Sequence, residues 1–439
     1  MRLTPRRRAA ATKTTIRSRA LLPLLATLLV MPGVARGAPG LDERAATLRI
    51  CSEGADAAVA NAERLRGEAR VAAADVLPNP SLVADHQSDL AGRDEHETVI
   101  GLSVPLGIGG RRFVLQDAAE ARRQQAVAQA EGTMLEAALT FRRGYGGLVL
   151  DQARLAVLEG QQQALDDLGE SMERLEQGGE GAAYELLRQQ SQARIHRSQV
   201  LSLRARVAAS KARLEAWLGQ PIKLTGVSPA QLAGGAKLVN RAATRKGLVG
   251  PRVRSLQAAA RASGLEAEAA HRRWVPDLEL FGGYRHVTSA DAPAGHGIAL
   301  GLTVPLTFFD HGQGEARQAR AEQRWAEAAA QQLERARTAE LRATVAQLQI
   351  IEAGLPALKQ AEQDAVALQG MAMRLYAADE ATITELLDAF RAIEQARLTR
   401  LDLTAEIVQA RLALMAASGK QFDAVLDRSC TGTTPRRSP

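Results

Sequence analysis

Four of the seven histidines fall into an echo: His86 and His96 recur, 200 positions later, as His286 and His296. Imidazole is the commonest ligand for zinc-like divalent cations, and residues an even number apart on a strand share a face. Each pair flanks a short loop, so both members stand near one rim. Two readings are open: a metal-binding rim, or loop histidines kept in register by descent. No cysteine or carboxylate lies at a spacing that completes a tight four-ligand site. A second group is acidic: Glu180, Glu185, Asp379, Glu380, Glu385 and Asp388 gather at two points where helical patterns break. Repeated around a symmetric assembly they would form acidic rings that attract cations; singly, they suit helix N-termini. Leu175, Leu186, Leu187, Leu375, Leu386 and Leu387 flank the same points and read as packing residues. Cys51 and Cys430 are the only cysteines. Catalytic signatures are missing from the sequence: it holds no P-loop, HExxH, GxSxG or complete GxGxxG, and GIGGRR (107–112) lacks the βαβ setting of a phosphate loop. Neither an enzyme nor a bound cofactor is expected.

The histidine echo belongs to a larger one. GLSVPL (101–106) recurs as GLTVPL (301–306), Arg174-Leu175 as Arg374-Leu375, Glu185-Leu186-Leu187 as Glu385-Leu386-Leu387, and Gly219 as Gly419. A period of 200 residues means two homologous halves of one body rather than a solenoid. The expected organisation is an export segment (1–37), a first structural repeat (38–225), a connector (226–237), a second repeat (238–420) and a tail (421–439).

The export segment reads from a basic stretch containing Arg2, Arg6, Arg7, Arg8, Lys13, Arg17 and Arg19, an apolar run over 20–30 and a small-x-small site at Ala35-Arg36-Gly37. It changes the charge reading. The chain carries 56 basic and 49 acidic residues, but eight of the basic ones lie in 1–37, which leaves 48 against 49. The high pI therefore gives no reason to expect nucleic acid as a partner.

Each half reads helix, strand, strand, long helix, helix. Helices are expected over 42–76, 111–177, 182–218, 238–274, 314–377 and 382–418, and strands near 81–87, 98–105, 278–286 and 298–305. A helix of about 65 residues at 1.5 Å each spans roughly 100 Å. Gly144, Gly146 and Gly147 in one long helix, and Gly354 with Pro356 in the other, predict a bend or local unwinding. The strands alternate: Ile298, Leu300, Leu302 and Val304 with Ala299, Gly301, Thr303 and Pro305, and Ile100, Leu102 and Val104 with Val99, Gly101 and Ser103. Such alternation over nine or ten residues marks a membrane β-barrel strand. Four strands cannot close a barrel, and open edges are not tolerated in lipid, so the chain must oligomerise, most simply as a ring.

With these features together, the mature chain resembles the TolC-type outer-membrane efflux family over nearly all its length. The resemblance rests on the doubled unit, LPNPSL (77–82) before the first strand, GLSVPLGIGGRR (101–112) at strand exit, and RLEQGGEGAAYELL (174–187) with RLYAADEATITELL (374–387) at the helix hairpins. LPNPSL and VPLGIGGRR look most like its heavy-metal (CzcC-like) branch. The resemblance implies a mainly α fold with a small membrane β-barrel part: a homotrimer with a twelve-stranded barrel in the Gram-negative outer membrane and a helical tunnel through the periplasm. It implies a passive exit duct, heavy-metal cations as cargo, and a periplasmic adaptor and an inner-membrane resistance-nodulation-division pump as partners. The adaptor-docking tunnel entrance would be built by Glu180, Glu185, Leu186, Asp379, Glu380, Glu385, Leu386 and Asp388. It would also bring Cys51 and Cys430 to the tunnel's equator, within reach of a disulfide. The sequence departs from the family at Ala377-Ala378-Asp379-Glu380, where a glycine is common. A drug or type I protein-secretion duct shares the fold; a periplasmic coiled-coil adaptor or scaffold is the remaining alternative, and it lacks the alternating strands.

Overall fold

The structure is a computed structural model and describes residues 41–88, 95–177, 183–224, 227–233, 250–289 and 292–418. The export segment and the tail lie outside the described residues. In chain order the elements are α1 (Glu43–Glu53), α2 (Ala55–Asp75), β1 (Ser81–Ser88), β2 (His96–Leu106), α3 (Arg111–Gln177), α4 (Ala183–Leu218), α5 (Pro229–Ala233), α6 (Pro251–His271), a 3₁₀ turn (Arg272–Trp274), β3 (Leu278–Ser289), β4 (Ala292–Thr303), α7 (Gln313–Ala377) and α8 (Ile383–Ser418). The doubled unit of the sequence is therefore the doubled unit of the fold.

Two expectations need correction. The helix expected over 42–76 is two helices, split at Gly54, whose backbone is extended (φ −69°, ψ 161°). Glycine is a poor helix former and an acceptable N-cap, so α2 starts afresh from its carbonyl, which accepts from the Ala58 N–H. The long helices, by contrast, do not unwind. α3 runs unbroken through Gly144–147 for 67 residues, and α7 through Pro356 for 65. In α3 Gly144 and Gly146 serve close approach, while Gly147 faces open space. A Cβ on Gly144 would stand 2.9 Å from Leu214 of α4, and one on Gly146 3.3 Å from Val408 of α8. In α7 the stretch around Pro356 is held by Leu348, Ile351 and Leu355 against Leu403, Ile407 and Leu414 of α8. Tertiary packing outweighs the cost of one proline, about 3 kcal/mol.

α3 packs on α2, α4, α6 and α8, and α7 packs on α6 and α8. The α3 rod is thus lined by four shorter helices and the α7 rod by two of the same four. The bulkiest apolar cluster sits near the middle of α3, where Phe141, Tyr145 and Leu148 meet Ile50, Leu214, Leu218 and Ile222. Burial there pushes the Tyr145 hydroxyl up to about 12, and it donates to the Lys223 carbonyl at 3.1 Å. The same level is tied by a parallel bridge between Leu41 and Ile222 and by Arg142 donating to Glu43 at 2.7 Å.

The four strands form one antiparallel sheet in the order β1-β2-β3-β4. The two repeats join through β2 and β3, and β1 and β4 are the sheet's edges.

Candidate functional site: membrane band, rim and entrance

Strand register sorts the side chains into two faces. Along one face run the rows Val104–Leu280–Leu302, Leu82–Leu102–Gly282–Leu300 and Ala84–Ile100–Tyr284–Ile298. This face is exposed: Ile298 is 83 % and Leu300 81 % accessible. The opposite face is small or charged. Its rows include Val83–Gly101–Gly283–Ala299 and Asp85–Val99–Arg285–Gly297. Here Arg285 grips Glu97 with both guanidinium arms, at 2.6 and 2.8 Å, across the β2–β3 junction. The Phe281 ring lies over the Gly101–Gly283 pair, where any Cβ would collide with it. An apolar outer face, a polar inner face and exposed Trp274, Phe308, Phe309 and Phe113 at the strand–helix junctions make a lipid band with one aromatic belt. At the same junction GIGGRR is a strand-to-helix turn rather than an anion loop: Gly110 has φ +65°, as Gly312 has φ +85° before α7.

Beyond the band, toward the hairpin loops, the outer face ends in a polar row: His86, Thr98, His286 and His296. His96 lies one row further, opposite Ser88. All four sequence-predicted histidines therefore reach the same rim. Among the described residues no group of three His, Cys, Asp or Glu gathers to hold a metal.

At the far end of the helices, the second turn is a two-part device. α7 closes on Asp379, which takes the left-handed conformation (φ +61°) that glycine usually fills. Its N–H donates to the Tyr376 carbonyl at 3.1 Å and the Glu380 N–H to the Leu375 carbonyl at 2.9 Å, the two bonds of a Schellman stop. α8 then opens with a capping box: the Thr382 N–H donates to the Glu385 carboxylate at 2.7 Å, and the Glu385 N–H to the Thr382 hydroxyl at 3.3 Å. The Thr382 N–H, and next the Thr382 hydroxyl that reaches the same carboxylate at 3.0 Å, lower the Glu385 carboxyl from its ordinary value. Asp388 accepts from Arg391 at 2.9 Å. Glu180 lies outside the described residues.

The two hairpins are tied together. Tyr376 donates its hydroxyl to Glu185 at 3.2 Å, Arg188 donates to Thr384 at 2.9 Å, and Arg391 to Gln192 at 2.8 Å. Burial first, and the nearby Glu185 and Asp379 carboxylates next, push the Tyr376 hydroxyl up to about 12, so it remains a donor at any physiological pH. Leu186 and Leu386 are both buried in the cluster between the hairpins, with Met172, Ile383 and Phe390. The expectation that all six leucines pack is corrected: Leu387 is 2 % accessible, but Leu187 is 63 %, and Leu175 and Leu375 are also exposed. A cleft of about 740 Å³ opens beside Tyr376, Leu186 and Phe390.

Sequence reading missed the polar residues buried above this end. Gln189 donates to the Leu165 carbonyl, and Gln161 to that of Phe390 at 3.1 Å. His196 Nδ1 lies 3.0 Å from Gln162, and its Nε2 lies 3.4 Å from Glu394. A glutamine-rich helix reads as a solvated face; only Gly169, which leaves room for Gln189, hinted otherwise. Cys51 is buried and disulfide-bonded. Cys430 lies outside the described residues.

These parts define a class: a channel protein that meets lipid through a strand hairpin from each repeat and reaches away from it through helical rods. A sequence model of the outer membrane efflux protein family matches residues 56–220 and 250–420, and the chain belongs to that family. It is accordingly an outer-membrane efflux channel component and not an enzyme, and the periplasmic scaffold alternative falls. A nickel-cobalt-cadmium resistance protein, NccC of Alcaligenes xylosoxydans xylosoxydans, is 26 % identical over 228 residues, which is 50 % of this chain and 49 % of that protein. The match thus spans about half the length of that curated relative. Among solved structures, the outer membrane protein VceC of Vibrio cholerae superposes with a TM-score of 0.69 at 16 % identity, covering 87 % of this chain and 97 % of its own. CusC, whose structures concern transmembrane channel formation, gives 0.69 at 17 % identity, covering 88 % and 96 %. Both likenesses are of fold.

Proposed function

We propose that three copies of the chain close into a twelve-stranded barrel continued by a helical tunnel, and that this duct carries heavy-metal cations outward. One observation carries the assembly: the sheet has an apolar outer face and two free edges, β1 and β4. In lipid every edge must be paired, and a cyclic arrangement pairs each β4 with a neighbour's β1. Cysteines placed on facing positions of β1 and β4 should crosslink into a three-chain species in outer membranes; dimers alone, or no crosslink, overturn the ring.

Glu180, Glu185, Leu186, Asp379, Glu380, Glu385, Leu386 and Asp388 are the proposed entrance. There a periplasmic adaptor docks and links the duct to an inner-membrane pump of the resistance-nodulation-division class. The nickel-cobalt-cadmium resistance relative supports metal cargo. A deletion strain should lose tolerance to nickel, cobalt or cadmium and regain it on complementation. Unchanged metal tolerance with new drug sensitivity, or with failed protein secretion, assigns the duct to another cargo. Each repeat (38–225 and 238–420) supplies one membrane hairpin and one turn, with 226–237 as the connector. Cys51 and Cys430 are the proposed disulfide; two thiols alkylated without reductant sink it.

A further inference from the structure

The rim holds two histidine pairs that look equivalent in sequence and are not equivalent in space. In the second, His286 and His296 are direct cross-strand partners. Their Nδ1 atoms are 3.3 Å apart, and their rings stack with centroids 4.8 Å apart. The Tyr284 hydroxyl, two residues before His286 on the same face, reaches Nδ1 of His296. In the first pair, hydroxyl groups separate the imidazoles. His86 Nδ1 meets Thr98 at 2.9 Å, His86 Nε2 meets Ser88 at 3.2 Å, and Ser88 meets His96 Nδ1 at 3.1 Å. No ring nitrogens of that pair adjoin.

Zinc-like cations bind imidazole nitrogen at about 2.0–2.1 Å, so two such bonds at a tetrahedral angle place the nitrogens about 3.4 Å apart. The 3.3 Å between His286 and His296 matches that bite in distance; for both lone pairs to meet one ion the stacked rings must turn about χ2 and the Tyr284 hydroxyl must leave Nδ1 of His296, which are side-chain motions only. We propose that His286 and His296 chelate one divalent transition-metal cation through Nδ1, with water at the remaining positions and the Tyr284 hydroxyl beside a bound water. The site faces outward at the rim, away from the charged inner face, so it is not a selectivity element for cargo. Its effect is to clip β3 to β4 where the hairpin leaves the apolar band. This goes beyond the export reading and stands whatever the duct carries.

The test uses the mature full-length protein in detergent with copper(II) or zinc as the probe. One tight equivalent per chain is expected, with a two-nitrogen signature in the copper spin-resonance spectrum. H286A and H296A should each weaken it at least tenfold, while the H86A/H96A double variant leaves it unchanged. On the unmodified protein, zinc should shield His286 and His296, but not His86, from diethyl pyrocarbonate labelling read by mass spectrometry. Equal binding by wild type and H286A, or equal labelling of all rim histidines with zinc present, overturns the proposal. Neither result depends on metal tolerance of the deletion strain, so failure here and failure of the metal-export reading are separable.

Discussion

The two repeats of this chain differ most where their sequences look most alike. His86 and His96 echo as His286 and His296, yet β1 pairs His86 with Thr98 while β3 pairs His286 with His296. The second hairpin is therefore shifted by two residues relative to the first. A shift of two keeps every side chain on its face, whereas a shift of one would have turned the apolar row into the lumen. The pattern that must be preserved, apolar outward, was preserved, and the partner of each residue was free to drift. The same holds at the turns. Leu187 and Leu387 occupy equivalent places in sequence, but one is exposed and the other is in the core. Duplication conserves periodicity; it does not conserve neighbours.

That asymmetry can be broken or sharpened by substitution. The largest effect is expected at Leu387. Its truncation to Ala removes a buried side chain and should cost about 2–5 kcal/mol, whereas L187A should lie within about 0.5 kcal/mol. Chemical denaturation of the two variants checks this, and equal losses would erase the distinction. Next comes the capping box. T382A should cost about 1 kcal/mol at the start of α8, read as faster amide exchange there with no change in α4. Y376F removes the bond to Glu185 and should cost about 1 kcal/mol; single-channel recordings should show longer or more frequent open intervals, and unchanged gating would mean that the bond does not restrain the entrance. The Glu385 contribution depends on pH. Its folded pKa is depressed, so the stabilisation is present above the ordinary carboxylate range and is lost as pH falls through the folded value. E385Q should flatten that acid dependence. The smallest effect has the opposite sign: D379G relieves a left-handed non-glycine residue and should stabilise the turn by up to about 1 kcal/mol, visible as a small rise in melting temperature.

Most of the architecture was legible because it rests on period. The two long helices, α4, α8 and the first three strands fall within about three residues of where periodicity and breakers put them, whereas β4 starts six residues before the expected 298, because its pairing with β3 extends the ladder past the apolar alternation. What was not legible depended on what lies opposite. Gly144 and Gly146 read as weaknesses in a helix, but they are contact points, because Leu214 and Val408 arrive from other helices. Gly54 sits in a helical pattern and still splits it. At the candidate entrance, Glu185 and Glu385 were visible as acids. That Glu385 caps its own helix while Glu185 accepts from Tyr376 could not be read, since the first depends on a turn conformation and the second on a contact 191 residues away. The glycine common at the second turn is absent, yet the turn forms, because aspartate tolerates left-handed backbone better than most residues.

The alternation along the strands also governs how such a chain reaches its membrane. Among the described residues no helix is long and apolar enough to cross a bilayer. The lipid-facing residues are spaced one in two, diluted by glycine, serine, threonine and charge, so none of the four described strands is apolar enough to be retained as a span. The greasy surface does not exist in the extended polypeptide. It comes into being only when the four strands align and, in the proposed ring, neighbouring chains pair their edges, so the chain can cross one membrane as an ordinary polar polymer and become insoluble in water only on arrival at the next.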